Sequence, residues 1–113
     1  MKRQIKLAAT GRRSGQPREV TLYAFDDGDD LVVVGSRGGA AKDPAWVANL
    51  RAEPLASVRL GRETREVRAR EVHGAEHDRL WELVGEQFPM YRTYQRKTKR
   101  KIPLFALEPV DER

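Results

Sequence analysis

Glycines, cations and hydroxyls are crowded into two short stretches of this 113-residue chain. The first is Thr10-Gly11-Arg12-Arg13-Ser14-Gly15-Gln16-Pro17-Arg18. The second runs Ser36-Arg37-Gly38-Gly39-Ala40-Ala41-Lys42-Asp43-Pro44-Ala45-Trp46. Glycine lets the backbone turn tightly and approach a ligand closely. Exposed N–H groups in such turns form concave anion sites, and neighbouring Arg or Lys adds charge-assisted hydrogen bonds. Five cations across the two loops, Arg12, Arg13, Arg18, Arg37 and Lys42, therefore suit a ligand with several negative charges, such as phosphate plus carboxylate. Further along, Tyr91 and Tyr94 lie three residues apart, a spacing that shares one helix face. That face covers either a pocket or merely one end of the fold; in a pocket the two hydroxyls, like that of Ser36, would polarise or protonate a bound group.

Other chemistries find little support. The chain has no cysteine, which removes disulfides, thiol catalysis and cysteine-type zinc sites. His73 and His77 have no third ligand nearby in sequence, so no metal is expected. Asp26-Asp27-Gly28-Asp29-Asp30 lacks the loop length and terminal Glu of an EF-hand and reads as a solvated turn. No apolar run approaches the ~20 residues of a membrane span, and the basic start at Met1-Lys2-Arg3 lacks the apolar stretch of a signal peptide. A cytoplasmic protein is expected.

Charge is unevenly placed. The net charge is +5, yet residues 88–107 hold Arg92, Arg96, Lys97, Lys99, Arg100 and Lys101 and no acid. Such segregation creates a positive field that draws anions. Nucleic acid, an anionic membrane surface and a small phosphorylated cofactor all fit a positive field. The few aromatics are not interleaved with cations along one strand face, which argues against a nucleic-acid partner. The run Arg96 to Lys101 reads as a solvated face or a rim of the anion field, open to weak contact with a membrane surface.

The elements that must carry these loops are short. Ile5 to Ala9 is an apolar segment. Arg18 to Phe25 alternates as a strand, with Val20, Leu22 and Ala24 on one face and Tyr23 and Phe25 on the other. A turn centred on Asp27-Gly28 joins it to Leu31–Val34, an apolar run suited to burial on both faces. Asp43-Pro44 reads as the N-cap and first position of a short helix with Trp46, Val47 and Leu50 on its apolar side. Trp46 reads as core rather than as a cofactor platform. Leu55–Leu60 and Glu63–Val72 alternate around Gly61 as a hairpin. Leu80, Leu83 and Val84 mark a helix over 75–88, which Pro89 breaks. A second helical stretch and a last strand over 102–107 follow. The order β-β-β-α-β-β-α-α-β, with six strands, points to a mainly β (α+β) six-stranded antiparallel barrel in one domain over residues 1–113.

In these motifs the chain resembles the deazaflavin-dependent nitroreductase family of the flavin/deazaflavin oxidoreductases. The likeness rests on Thr10 to Arg18 and the strand to Tyr23, on Ser36-Arg37-Gly38-Gly39-Ala40, on Pro44-Ala45-Trp46-Val47-Ala48-Asn49-Leu50, on Phe88-Pro89-Met90-Tyr91-Arg92-Thr93-Tyr94-Gln95, and on Ile102-Pro103. These stand in order along nearly the whole chain. The resemblance implies an FMN-binding-type split β-barrel holding the 8-hydroxy-5-deazaflavin coenzyme F-420, with short flanking helices. It implies that Arg12, Arg13, Ser14, Arg18, Ser36, Arg37, Gly38, Gly39 and Asn49 bind the cofactor. Tyr91 and Tyr94, with Ser36, would serve the acceptor side or donate a proton. Phe88 stands where the family often has Tyr, and the N-terminal helical extension of many members is not expected.

The implied reaction carries a hydride from the reduced deazaflavin to a small-molecule acceptor: a quinone, a nitroaromatic or an activated alkene. Hydride transfer needs positioning and excluded water more than a base, which fits the scarcity of acid–base residues. Two alternatives are kept: the same barrel using FMN, whose single phosphate needs fewer cations, and a non-enzymatic basic barrel. A homodimer is compatible with the short chain.

Overall fold

A computed structural model describes residues 2–110; Met1 and positions 111–113 of the expected 1–113 domain lie outside the described residues. Alternation of small apolar and polar residues sets up six strands: β1 (Lys2–Thr10), β2 (Pro17–Asp27), β3 (Asp30–Val34), β4 (Leu55–Leu60), β5 (Glu63–Glu71) and β6 (Leu104–Pro109). All neighbours pair antiparallel and the sheet closes in the order β1-β2-β3-β6-β5-β4. Closure is made by β1 against β4, from Lys6 opposite Arg59 to Ala9 opposite Ala56. The mainly β split-barrel architecture expected from the sequence is therefore present.

Two apolar layers follow from the period of two. Ile5, Leu7, Leu31, Val33, Val58, Val67, Phe105 and Leu107 fill the barrel. The opposite faces of the same central strands, with Phe25, Val32, Val34, Leu104 and Ala106, form a second layer outside it. Leu31–Val34 is buried on both faces, as its unbroken apolar run requires. Helix α1 (Ala45–Ala52) inserts Trp46, Val47 and Leu50 into the barrel layer. Helices α2 (Gly74–Gln87) and α3 (Met90–Arg96) cover the outer layer through Leu80, Val84 and Tyr91.

Two local readings are corrected. The hairpin turn shrinks to Gly28-Asp29, because Asp26 and Asp27 pair in register with Leu31 and Asp30. Asp43 is not the N-cap of α1. Pro44 occupies that position in extended backbone and the helix starts at Ala45. The Asp43 carboxylate is engaged elsewhere, by Arg100 at 2.7 Å and Arg51 at 3.3 Å.

Candidate active site

The first loop closes on itself. Gly11 N–H donates to the Gln16 carbonyl and Gly15 N–H to the Gly11 carbonyl, both at 2.8 Å. The Ser14 hydroxyl accepts from Gln16 N–H at 3.1 Å. This short circuit between β1 and β2 leaves Arg12, Arg13 and Arg18 exposed. Asn49, only 5% exposed, reaches across from α1, and its Oδ1 accepts from both the N–H (3.1 Å) and the Nη1 (3.2 Å) of Arg12. Asn49 thus fixes the direction of Arg12.

The second loop is a strained turn. Arg37, Gly38 and Gly39 have φ of 44°, 62° and 84° in succession. The left-handed region is costly for a residue with a Cβ, so Arg37 is held there by its surroundings. Gly39 packs against α3: an added Cβ would sit 2.7 Å from the Tyr94 carbonyl oxygen.

These loops and the first turn of α1 enclose a cavity of about 560 Å³, lined by Gly11, Arg12, Arg13, Ser14, Arg18, Glu19, Val20, Arg37, Pro44, Ala45, Trp46 and Asn49. Four guanidiniums face one carboxylate there. The helix N-terminus at the wall adds partial positive charge. A second cavity of about 380 Å³ adjoins it, sharing Val20, Arg37, Pro44 and Trp46. Its remaining wall includes Ser36, Gly38, Tyr23, Phe88, Tyr91 and Tyr94. The result is one cleft, cationic at one end and aromatic at the other.

The aromatic end is a packed chain of rings. Tyr23 meets Phe88 at 5.6 Å, Phe88 meets Tyr91 edge-on at 4.8 Å, and Tyr91 meets Tyr94 at 6.3 Å. Tyr91 is 5% exposed. Burial pushes its hydroxyl well above the usual phenol range, and the nearby Tyr23 and Tyr94 push it the same way. Like any phenol whose value lies at or above about 10, Tyr91 is neutral throughout the physiological range.

Of the residues singled out from sequence, Arg12, Arg13, Ser14, Arg18, Arg37 and Asn49 meet at the cationic end, and Ser36, Gly38, Tyr91 and Tyr94 at the aromatic end. Gly39 lies behind the wall, buried against α3. Lys42, counted with the loop cations, lines neither cavity. Trp46 is both core and wall: it packs on Phe105 at 5.9 Å and borders both cavities. Sequence reasoning missed Tyr23 and Glu19 as lining residues. Tyr23 lines the aromatic end together with its β2 neighbours Val20, Thr21 and Leu22. His77 is structural, its Nε2 2.9 Å from the Ile102 carbonyl oxygen.

The closed antiparallel six-stranded barrel is the split-barrel fold of the flavin/deazaflavin oxidoreductases, and here it carries a cation-lined cleft that runs into an aromatic chamber. Within that class the chain belongs to the F420H(2)-dependent quinone reductase family, whose model matches residues 1–109. It is 36% identical over 106 residues to a quinone reductase of that family from Mycobacterium tuberculosis, covering 91% of this chain and 71% of the relative. A solved F420-H2 dependent reductase superposes with a TM-score of 0.85 at 37% identity, covering 93% of both chains. A structure described as a domain-swapped dimer gives a TM-score of 0.86 at 37% identity, covering 93% of this chain and 79% of that one. The protein is thus an oxidoreductase whose cofactor is coenzyme F-420.

Proposed function

We propose that the protein reduces a quinone with the reduced deazaflavin, and that electron-poor nitroaromatics and activated alkenes are further acceptors. The observation that carries this reading is the continuity of the two cavities through Val20, Arg37, Pro44 and Trp46. Arg12, Arg13, Arg18 and Arg37 would hold the phosphodiester and acidic tail of the cofactor, with Ser14 and Gly11 shaping the loop around them. Asn49 acts through Arg12 by fixing its guanidinium. Trp46 and the backbone around Gly38 would border the ring. When bound, F-420 supplies two electrons and a proton as hydride to the acceptor carbon or oxygen. A quinone needs one further proton to become a hydroquinone. Tyr91 would donate that proton or polarise the quinone oxygen, with Tyr94 and Ser36 as the neighbouring hydroxyls. The ring chain Tyr23–Phe88–Tyr91–Tyr94 would form the apolar wall beside the reacting atoms.

The solved domain-swapped dimer among the similar structures supports self-association of this chain as well.

The test is oxidation of reduced F-420 by purified protein with a naphthoquinone, a nitroaromatic and a cyclic enone as separate acceptors. FMN and NADPH serve as competing cofactors. Turnover with the quinone, absent when FMN or NADPH replaces F-420, is expected. Turnover with FMN and none with F-420 would overturn the reading.

A further inference from the structure

Arg100 sits in the basic run yet does not point to solvent with its neighbours. Its side chain is 15% exposed, whereas Arg96, Lys97, Lys99 and Lys101 are exposed residues. Its guanidinium spans the whole second loop. Nε donates to the Ala40 carbonyl at 2.9 Å, Nη1 to the Gly35 carbonyl at 3.0 Å and to Asp43 Oδ1 at 2.7 Å, and Nη2 to the Ser36 carbonyl at 2.8 Å. The planar fork of Arg can hold several acceptors in fixed directions, which a lysine ammonium cannot.

Beside Arg100 the turn is held by the Gly35 N–H bond to the Pro103 carbonyl (2.9 Å) and by the packing of Gly39 on the Tyr94 backbone. Within the turn only Gly39 N–H to the Ser36 carbonyl (2.9 Å) and Ala40 N–H to the Arg37 carbonyl (3.1 Å) bridge the three left-handed residues. Arg100 is itself anchored to the tyrosine helix. Gln95, next to Tyr94, donates to the Arg100 carbonyl at 2.7 Å and accepts from Ile102 N–H at 2.9 Å. One connected set of bonds therefore ties α3 to the turn that carries Ser36, Arg37 and Gly38.

We propose that Arg100 is a positioning residue of the cofactor site: it holds the strained Ser36–Gly39 turn in the conformation that presents Arg37 and Gly38 to the cleft, and through Gln95 it sets that turn at a fixed distance from Tyr91 and Tyr94. This rests on the reading of the cleft as the F-420 site. Arg100 lines neither cavity and reaches the wall only from behind, through the Ser36 carbonyl, so its effect on binding is indirect.

The experiment compares Arg100→Lys, Arg100→Met and Lys99→Met. Lys99→Met removes a charge from the same run but no contact with the loop. The main readouts are hydrogen exchange of the cofactor-free protein, followed at residues 36–40 and at core strands β3 and β6, and titration of F-420 by fluorescence, with steady-state turnover beside them. Arg100→Lys, which keeps the charge, is expected to raise exchange at 36–40 and to weaken F-420 binding, each on the order of tenfold, with core exchange unchanged. The turnover rate at saturating F-420 should change much less than the KM for F-420. Lys99→Met should leave both readouts at the parent level. If Arg100→Met does not fold, Arg100→Lys and Asp43→Asn decide, Asp43→Asn giving the smaller shift in the same direction. Binding by the Arg100 variants equal to the parent, or weakened only as much as in Lys99→Met, overturns the proposal. So does exchange that rises equally in the core, which would make Arg100 a brace of the whole fold. Failure of the parent itself to bind F-420 would instead refute the functional reading, and the exchange data would still report on the clamp.

Discussion

The loop over Thr10–Arg18 and the loop over Ser36–Asp43 face the same cationic cavity but are held in opposite ways. The first is folded by its own atoms: Gly11, Ser14, Gly15 and Gln16 bond to each other, and Asn49 is its side-chain tie to another element. The second is folded from outside. From about 60 residues further along the chain, Arg100 bonds it at Ser36, Ala40 and Asp43 and bonds Gly35 just before it. Gly35 is wedged between Pro103 and Val47, and Gly39 lies on the Tyr94 backbone. A self-closed loop can display cations on a β-hairpin and tolerate change. An externally clamped loop keeps Arg37 and Ser36 in register with the tyrosines, as a transfer between two bound molecules demands. The second loop is thus the one that couples the two ends of the cleft.

The largest expected effect lies where the clamped loop meets the tyrosines. Tyr91→Phe keeps the ring chain and deletes only the hydroxyl, so turnover with a quinone should fall ~10²–10³-fold while F-420 affinity hardly moves. Because burial raises this hydroxyl above the usual phenol value near 10, the parent rate should show no loss from its ionisation as pH rises to about 10. Equal turnover in Tyr91→Phe, Tyr94→Phe and the double variant would leave the tyrosines with packing alone, and Ser36 or water as the proton source.

Substituting glycine should separate the loops next. Gly39→Ala meets both a left-handed backbone (φ 84°) and the Tyr94 carbonyl, so thermal unfolding should show a loss of about 3 kcal/mol. Gly15→Ala meets only the backbone penalty (φ 70°, open space), about 1 kcal/mol. Equal losses would erase the distinction between a self-closed and a clamped loop.

Removing single cations tests the cavity itself. Arg12→Ala, Arg18→Ala and Arg37→Ala should each weaken F-420 binding by roughly 1.5–3 kcal/mol at low salt. Lys42→Ala, outside both cavity walls, should bind like the parent in the same titration. Loss in Lys42→Ala matching that in Arg37→Ala would mean that a diffuse field, not the cavity geometry, holds the cofactor.

The smallest effect is on stability against pH. Bonds from Arg79, Arg51 and Arg70 hold Asp27, Glu71 and Glu76 below the usual carboxylate range. A depressed folded value stabilises the fold above the unfolded value, and that contribution disappears as pH falls through the folded one. Melting temperature should be level above about pH 5 and decline below about pH 4. Arg51 also pairs with Asp43 beside the clamped loop, so Arg51→Gln should flatten the decline slightly. The pairs are mostly exposed, which keeps the change small. An unchanged acid limb in Arg51→Gln would remove that pair from the account.

Much of the cleft could be read along the chain. Gly11 to Arg18 announces itself because the glycines, the hydroxyl and the cations that shape the first loop are neighbours in sequence. Tyr91 and Tyr94 could be placed together because helix geometry converts a spacing of three into one face. Asp43-Pro44 misled, since a helix start is a local pattern but Asp43 answers to distant guanidiniums. Arg100 could not be told from Lys99 or Lys101. All three are cations in one run, and only the packing of β6, α3 and the second loop turns one of them inward.

The sequence by itself determined the strands, the two-sided burial of Leu31–Val34, the helices and the cation-rich turns, because each is fixed by period, turn chemistry or composition within a few residues. Tertiary structure alone decided which cations share a cavity, that Gly39 is a packing point and not a wall, and that Tyr91 is buried with its hydroxyl pushed above the usual phenol range. Closing β1 onto β4 bends the sheet into a barrel, and that closure brings residues 12, 37, 49 and 91 into one cleft. Local periodicity carries no information about such distances. They are set by how the whole chain packs.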